Sequence, residues 1–324
     1  MGFFGRVARP VILAAAKQDG LRRTAERLPM TREVVHRFVP GETTADVMNS
    51  VEQLRDSRRL VSIDYLGEDV TDADAAESTV EAYLGLLAAL ETRGEASGAV
   101  RPLEVSLKLS ALGQALPRDG EKIALENARA ICERAQRAGV WVTVDAEDHT
   151  TTDSTLSIVR DLRVDFDWVG TVLQAYLKRS RADCAEFAAS GGRVRLGKGA
   201  YDGPAAGAFR DRDDVTSSYL QCLRILMAGS GYPMVASHDP EIIAAVPALV
   251  RECSRSVDDF EYQMLYGIRD AEQRRLGGSD GLEGNHVRVY VPFGTQWYGY
   301  FVRRLAERPA NLTFFLRALA ERRR

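Results

Sequence analysis

The stretch that decides the fold is PLEVSLKL (102–109), KIALENARAICERAQR (122–137) and VWVTVDA (140–146). Two short runs rich in β-branched residues flank one segment with apolar residues at three- and four-residue spacing, the pattern of a strand–helix–strand unit. The same alternation extends in both directions. Upstream lies RLVSIDYL (59–66); downstream lie WVGTVLQ (168–174), RVRLGK (193–198), PMVAS (233–237), DFEYQM (259–264) and HVRVYVP (286–292). Further helical patterns cover Glu77–Thr92, Ser180–Ala189, Asp214–Ala228 and Glu241–Ser254. Eight such units over residues 59–324 fit the roughly 250 residues of a (β/α)8 barrel better than an open doubly wound sheet. The expected fold is therefore α/β, a distorted (β/α)8 TIM barrel. Residues 1–58 are expected to form an N-terminal helical segment packed on it. They hold helical stretches at Val7–Ala25 and Ala45–Arg55, broken by Pro29, Pro40 and Gly41.

Composition narrows the functional classes. In 324 residues, 45% are hydrophobic and 27% charged, as in a folded globular chain. The formal charge of -3 is spread along the sequence and gives no field for binding nucleic acid. Cys132, Cys184, Cys222 and Cys253 stand singly, without the paired spacing of a zinc site or a disulfide framework. They read as buried thiols of a cytoplasmic protein, and no metal site is expected. The apolar run Pro10–Ala16 behind Arg6 and Arg9 is short for a signal peptide. No apolar stretch approaches the ~20 residues of a membrane span, which leaves peripheral association with the inner face of a membrane open.

Active sites of such barrels lie at the C-terminal strand ends. Here those ends carry Glu68, Lys108, Asp145, Gln174, Arg195, Lys198, His238, Gln263, Leu265 and Tyr290. Singly, each reads as a polar residue where a strand meets water; together they suggest a site. Lys108 alternates with Ser106 and Ser110 and is expected to face the barrel interior, with Asp145 as the carboxylate that neutralises it. After the eighth run, Thr295 can cap a helix that places Tyr300, Arg303, Arg304 and Glu307 on one face. On spacing alone that face is a solvated one.

With EVSLKLSALG, VTVDAED, VLQAYLKR, RVRLGKGAY, VASHDPE, FEYQMLYG and YVPFGTQWYGYFVRRLAE in order, and LGE after the first strand, the chain resembles the proline dehydrogenase family of flavoenzymes. The likeness covers all eight strands and points to a monofunctional bacterial-type member. It implies FAD bound non-covalently at the barrel top and hydride transfer from L-proline to flavin N5. The product would be Δ1-pyrroline-5-carboxylate, with electrons passed to a membrane quinone and a separate pyrroline-5-carboxylate dehydrogenase as the next enzyme. By the same likeness Lys108, Arg303 and Arg304 would bind the substrate carboxylate, with Glu307 positioning the arginines. Leu265, Tyr290 and Tyr300 would pack its ring, and Lys108, Asp145, Arg195 and Tyr290 would form the catalytic group. Gln174, Arg195, Lys198, Gly199, Ala200, Tyr201, Ser237 and His238 would contact FAD, and Glu68 would pair with Arg195 as a gate. Asp202 stands where many members of that family carry an aromatic residue, a departure on the loop that would meet the adenine.

Two other classes stay open from the residues alone. A Schiff-base aldolase barrel would use Lys108 or Lys198 as nucleophile and need no flavin. A flavin-binding sensor could use the same scaffold without turnover.

Overall fold

The computed structural model describes residues 35–91, 99–201, 203–278 and 284–301. Each of the eight expected runs forms a strand: β1 Leu60–Tyr65, β2 Leu103–Leu107, β3 Trp141–Val144, β4 Gly170–Gln174, β5 Arg193–Gly197, β6 Tyr232–Ala236, β7 Glu261–Leu265 and β8 Val287–Phe293. They pair in chain order, all parallel, and β8 closes on β1 with Ser62 opposite Tyr290 and Asp64 opposite Pro292. The chain is thus a closed (β/α)8 barrel.

The helices are α1 Thr44–Asp56, α2 Ala73–Leu90, α3 Gly120–Ala138, α4 Thr152–Asp165, α5 Ser180–Ala189, α6 Arg212–Ala228, α7 Pro240–Glu252 and α8 Asp270–Gly277. Their limits follow local chemistry. Asp72, Asp211 and Asp239 cap α2, α6 and α7 by accepting backbone N–H groups, and Gly139 ends α3 at φ 66°, where the missing Cβ removes the left-handed strain. Two helices, expected only as the segments that follow the third and seventh strands, take their limits from packing. Burial of Leu156, Val159 and Leu162 holds the Thr- and Asp-rich α4 helical. The charged α8 is short and anchors through fully covered Gln273.

Outward-facing Val61, Ile63, Val105, Leu107, Val142, Val144, Val194, Leu196, Val289 and Val291 join the helix stripes in one apolar core, to which α1 adds Val47, Val51 and Leu54. The interior of the barrel is different. Instead of stacked aliphatic residues, it holds Glu104, Glu261, Arg193, Arg195 and Arg288, all buried. Arg288 grips Glu261 at 2.7 Å, and Glu104 bridges Arg193 at 2.5 Å and Arg195 at 2.6 Å. Buried charge is tolerable only in such paired and hydrogen-bonded form.

A second apolar cluster caps the C-terminal mouth. Val35, Phe38 and Val39 pack there with Leu66, Ile268, Trp297, Tyr298, Tyr300 and Phe301, and against Leu265 and Tyr290. Gly294 N donates to Gly41 O at 3.1 Å and Trp297 Nε1 to Glu42 Oε1 at 3.0 Å, so the N-terminal arm is tied to the turn after β8.

Candidate active site

β2 ends at Leu107, and Lys108 starts a short helical turn, Leu109–Leu112. Ser110 therefore leaves the strand face on which sequence alternation placed it. Its hydroxyl donates to Glu147 Oε1 at 2.5 Å and its N–H to Oε2 at 3.1 Å, joining the loops after β2 and β3. Lys108 does point into the barrel mouth. Its principal partner, however, is Asp64 of β1, with Nζ to Oδ2 at 2.6 Å; Asp145, the expected one, lies at 3.7 Å. Burial works against the Lys108 ammonium, but Asp64, Asp145 and Glu68 outweigh it and hold its pKa above the ordinary lysine value.

Asp145 is instead the hub of the neighbouring contacts. Arg195 Nη1 reaches its Oδ1 at 2.6 Å, Ser106 Oγ donates to the same oxygen at 2.7 Å, and Tyr290 OH donates to Oδ2 at 2.9 Å. Burial and the two nearby aspartates push the Tyr290 hydroxyl well above its ordinary pKa, so it stays a neutral donor. The Arg195 guanidinium also reaches Glu104, Gln263 and Ser62 and lies 5.3 Å from the Tyr290 ring centroid. Every side of its planar fork is thereby fixed. Lys108, Asp145, Arg195, Tyr290 and Leu265 thus meet at one mouth, with buried Tyr300 in the cluster above it. Glu68 is half-buried after β1 and acts on Lys108 through its field. Arg303, Arg304, Glu307 and Asp202 lie outside the described residues.

The other expected contacts lie at the adjoining ends of β4, β5 and β6. Gln174 Nε2 donates to Glu147 O at 2.9 Å, while Lys198 Nζ contacts Asp239 at 2.7 Å and Thr216 at 2.8 Å. Ser237 Oγ accepts from Asp239 N at 3.1 Å, and His238 Nε2 accepts from Leu265 N at 3.0 Å, which leaves the ring proton for Nδ1. Gly199 adopts φ 105°, and a Cβ there would run into the Tyr176 ring at 2.1 Å. Beside it, with Ala200 exposed on the same loop, opens a cleft of about 660 Å³ lined by Tyr176, Tyr201, Phe209, Lys198, Arg210 and Arg212. Aromatic faces beside three cations suit a planar base joined to phosphates.

Asp64, Glu104 and Glu147 were not singled out by sequence. The available signal was a carboxylate inside an otherwise apolar strand: Asp64 in LVSIDY and Glu104 in LEVSL.

The family model described as proline dehydrogenase matches residues 47–317. The chain belongs to the proline dehydrogenase family. It is 38% identical to proline dehydrogenase 1 of Bacillus subtilis over 90% of this chain and 92% of that one. It is 35% identical to proline dehydrogenase of Deinococcus radiodurans over 96% and 97%. Among solved structures, proline utilization A from Bdellovibrio bacteriovorus, inactivated by N-propargylglycine, superposes with a TM-score of 0.75 at 25% identity. That match covers 85% of this chain but 32% of the longer one, so the chain spans about a third of its length. The proline dehydrogenase barrel accounts for the eight closed strands.

Proposed function

We propose that this chain oxidises L-proline to Δ1-pyrroline-5-carboxylate, with FAD as hydride acceptor. The observation that carries the reading is the buried Lys108–Asp64–Tyr290–Asp145–Arg195 constellation at the mouth of a proline dehydrogenase barrel. Lys108 supplies an ammonium to the substrate carboxylate, and Arg303 and Arg304 complete the clamp, with Glu307 holding them. Leu265, Tyr290 and Tyr300 enclose the apolar ring and keep water from it. Clamping of this kind converts an encounter into an oriented complex, which is the protein's main contribution when a cofactor carries the chemistry.

The residues present fit FAD. The aromatic and cationic cleft suits its adenine and phosphates, and the loop at Gly199 lies open because no Cβ occupies it. Gln174, Arg195, Lys198, Gly199, Ala200, Tyr201, Ser237 and His238 would hold the group, which when bound supplies a two-electron acceptor at flavin N5. Arg195, at the interior end of that row, would favour negative charge on the reduced ring system. The cations around the substrate also lower the pKa of its amine, so no dedicated side-chain base is required. Glu68 is proposed to act as a gate carboxylate when the site closes; Arg195, its expected partner, is already held by Asp145, Glu104, Gln263 and Ser62.

Electrons would pass to a membrane quinone and the product to a separate pyrroline-5-carboxylate dehydrogenase. Among the described residues no helix is long and apolar enough to cross a membrane; the quinone would be met by peripheral contact from the cytoplasmic side. Purified protein should be yellow, release FAD on denaturation and bleach anaerobically with L-proline. Colourless protein that does not take up FAD, or flavoprotein that proline leaves oxidised, would overturn the assignment. The first result would return the aldolase reading and the second the sensor reading.

A further inference from the structure

We propose that Asp64 is the positioning residue of the substrate-carboxylate site, acting through Lys108 by holding its ammonium charged and aimed at the barrel mouth. The inference rests on the proline reading above and concerns a residue outside the expected substrate, cofactor and gate groups.

Asp64 sits on β1 between the two strands that bring Lys108 and Tyr290, with its carboxylate inside the barrel and fully buried. Oδ2 takes one Lys108 N–H at 2.6 Å. Oδ1 is buried with no hydrogen-bond partner among the described residues. A carboxylate left half satisfied in a core is unfavourable, and well-packed apolar residues in place of an ion pair fold as well or better. Folding therefore does not explain Asp64, whereas a requirement for a cation at Lys108 does.

The groups facing Lys108 make Asp64 the decisive one. Asp145 of β3 lies at 3.7 Å and shares its oxygens with Arg195 of β5, Ser106 and Tyr290. The Tyr290 hydroxyl of β8 lies at 3.5 Å and carries no charge to offer. Glu68 and Glu147, on the loops after β1 and β3, act through their fields, and Glu147 is itself committed to Ser110. Among the described residues Asp64 makes the closest carboxylate contact with the ammonium, at 2.6 Å against 3.7 Å for Asp145. Since burial disfavours the charged form of a lysine, removing Asp64 lets the Lys108 pKa fall toward the assay range.

The test separates carboxylate binding from amine chemistry by using cyclopentanecarboxylate, which has the ring and the carboxylate but no nitrogen to oxidise. Its dissociation constant is measured by calorimetry on the FAD-loaded protein from about pH 7 to about pH 10, below the ordinary lysine pKa of about 10.4. The parent should bind with constant affinity across that range. Asp64→Asn should bind tenfold or more weakly at the alkaline end than at the neutral end, about tenfold per pH unit above the lowered lysine pKa. Lys108→Met should bind weakly at every pH. Asp64→Asn added to Lys108→Met should change affinity no further, the result expected when one residue acts through the other.

Parent-like affinity of Asp64→Asn at all pH values overturns the proposal. So does a double variant that binds much more weakly than Lys108→Met, since Asp64 would then act independently. Should Asp64→Asn alone fail to fold, the parent profile still decides, because a decline toward alkaline pH would show a lysine that Asp64 does not hold charged. A parent that binds no cyclopentanecarboxylate and is not bleached by proline overturns the proline reading together with this proposal. A parent that does both while Asp64→Asn behaves identically overturns this proposal alone.

Discussion

Glu104→Gln tests whether the charged barrel interior depends on its bridging carboxylate. Glu104 is completely buried and reaches Arg193 at 2.5 Å, Arg195 at 2.6 Å and Thr143 at 2.8 Å. The glutamine keeps the volume but leaves two buried guanidinium groups facing a neutral amide. Breaking a buried ion pair costs about 3–5 kcal/mol. Here the lower figure applies, because Arg193 still lies 3.8 Å from the Trp141 ring centroid and donates to Trp168 O, while Arg195 keeps Asp145. At roughly 2–4 °C per kcal/mol for a barrel of this size, a loss of about 3 kcal/mol lowers Tm by about 6–12 °C. The pH dependence has a definite sign. Burial opposes the Glu104 carboxylate, but Arg193, Arg195 and Arg288 overcome it and hold its pKa below the ordinary range. Its stabilisation is therefore complete above the unfolded value of about 4.3 and is lost as the pH falls through the lower folded value. Thermal melts followed by circular dichroism at neutral pH and across the acid limb measure both effects. Unchanged Tm at neutral pH, or a parent–variant difference that grows on acidification, would refute the account.

Gly199→Ala should cut FAD retention at least tenfold, because the residue would need a left-handed φ of 105° and its methyl would strike the Tyr176 ring; flavin per protein after gel filtration measures it, and full retention would remove that loop from the cofactor site. Tyr83→Phe should destabilise the fold by about 1–3 kcal/mol, since the buried hydroxyl donates to Ser106 O at 2.6 Å and accepts from Tyr65 N at 3.2 Å. Chemical denaturation with an unchanged midpoint would contradict this. Glu68→Ala should alter stability by no more than about 1 kcal/mol while changing the rate of flavin reduction by proline, as a half-exposed gate carboxylate would. Parent-like stopped-flow bleaching would return Glu68 to an ordinary strand-end residue.

The fold was legible because its signals are periodic. β-branched runs of PLEVSLKL type and capped amphipathic helices such as α3 recur along the chain, and a parallel closed sheet follows from repetition. The misses share a cause. α4 and α8 were expected only as segments following a strand; their limits are fixed by burial against the barrel, which local sequence does not contain. Ser110 was assigned by strand alternation, but the chain leaves the strand at Leu107 and the two-residue period ends there. For the site, the strand-end residues could be placed by position alone, whereas their pairing could not. Lys108 can reach carboxylates on either neighbouring strand, and the pairing of β1 with β2 sets Asp64 opposite Ser106, within reach of Lys108. Which of the two flanking carboxylates, Asp64 of β1 or Asp145 after β3, lies closer is set by side-chain packing in the barrel mouth, at 2.6 Å against 3.7 Å, and strand order alone does not contain it.

The interior ladder explains why stability and site geometry are hard to separate in this barrel. From Arg288 at its base, contacts run through Glu261 to Gln263 Nε2 at 2.5 Å, and from Gln263 Oε1 to Arg195 Nε at 2.5 Å. They continue from Arg195 to Asp145, from Asp145 to the Tyr290 hydroxyl, and from there to Lys108 and Asp64. Among the described residues four cations, Lys108, Arg193, Arg195 and Arg288, meet four carboxylates, Asp64, Glu104, Asp145 and Glu261, each charge facing an opposite one. Aliphatic side chains could fill the same space with equal or greater stability, but they have no direction to transmit. A guanidinium held on Nε and both terminal nitrogens has one orientation, and each group above it inherits that constraint. The ladder thereby supplies the preorganisation that a clamped substrate and a hydride acceptor require at the mouth.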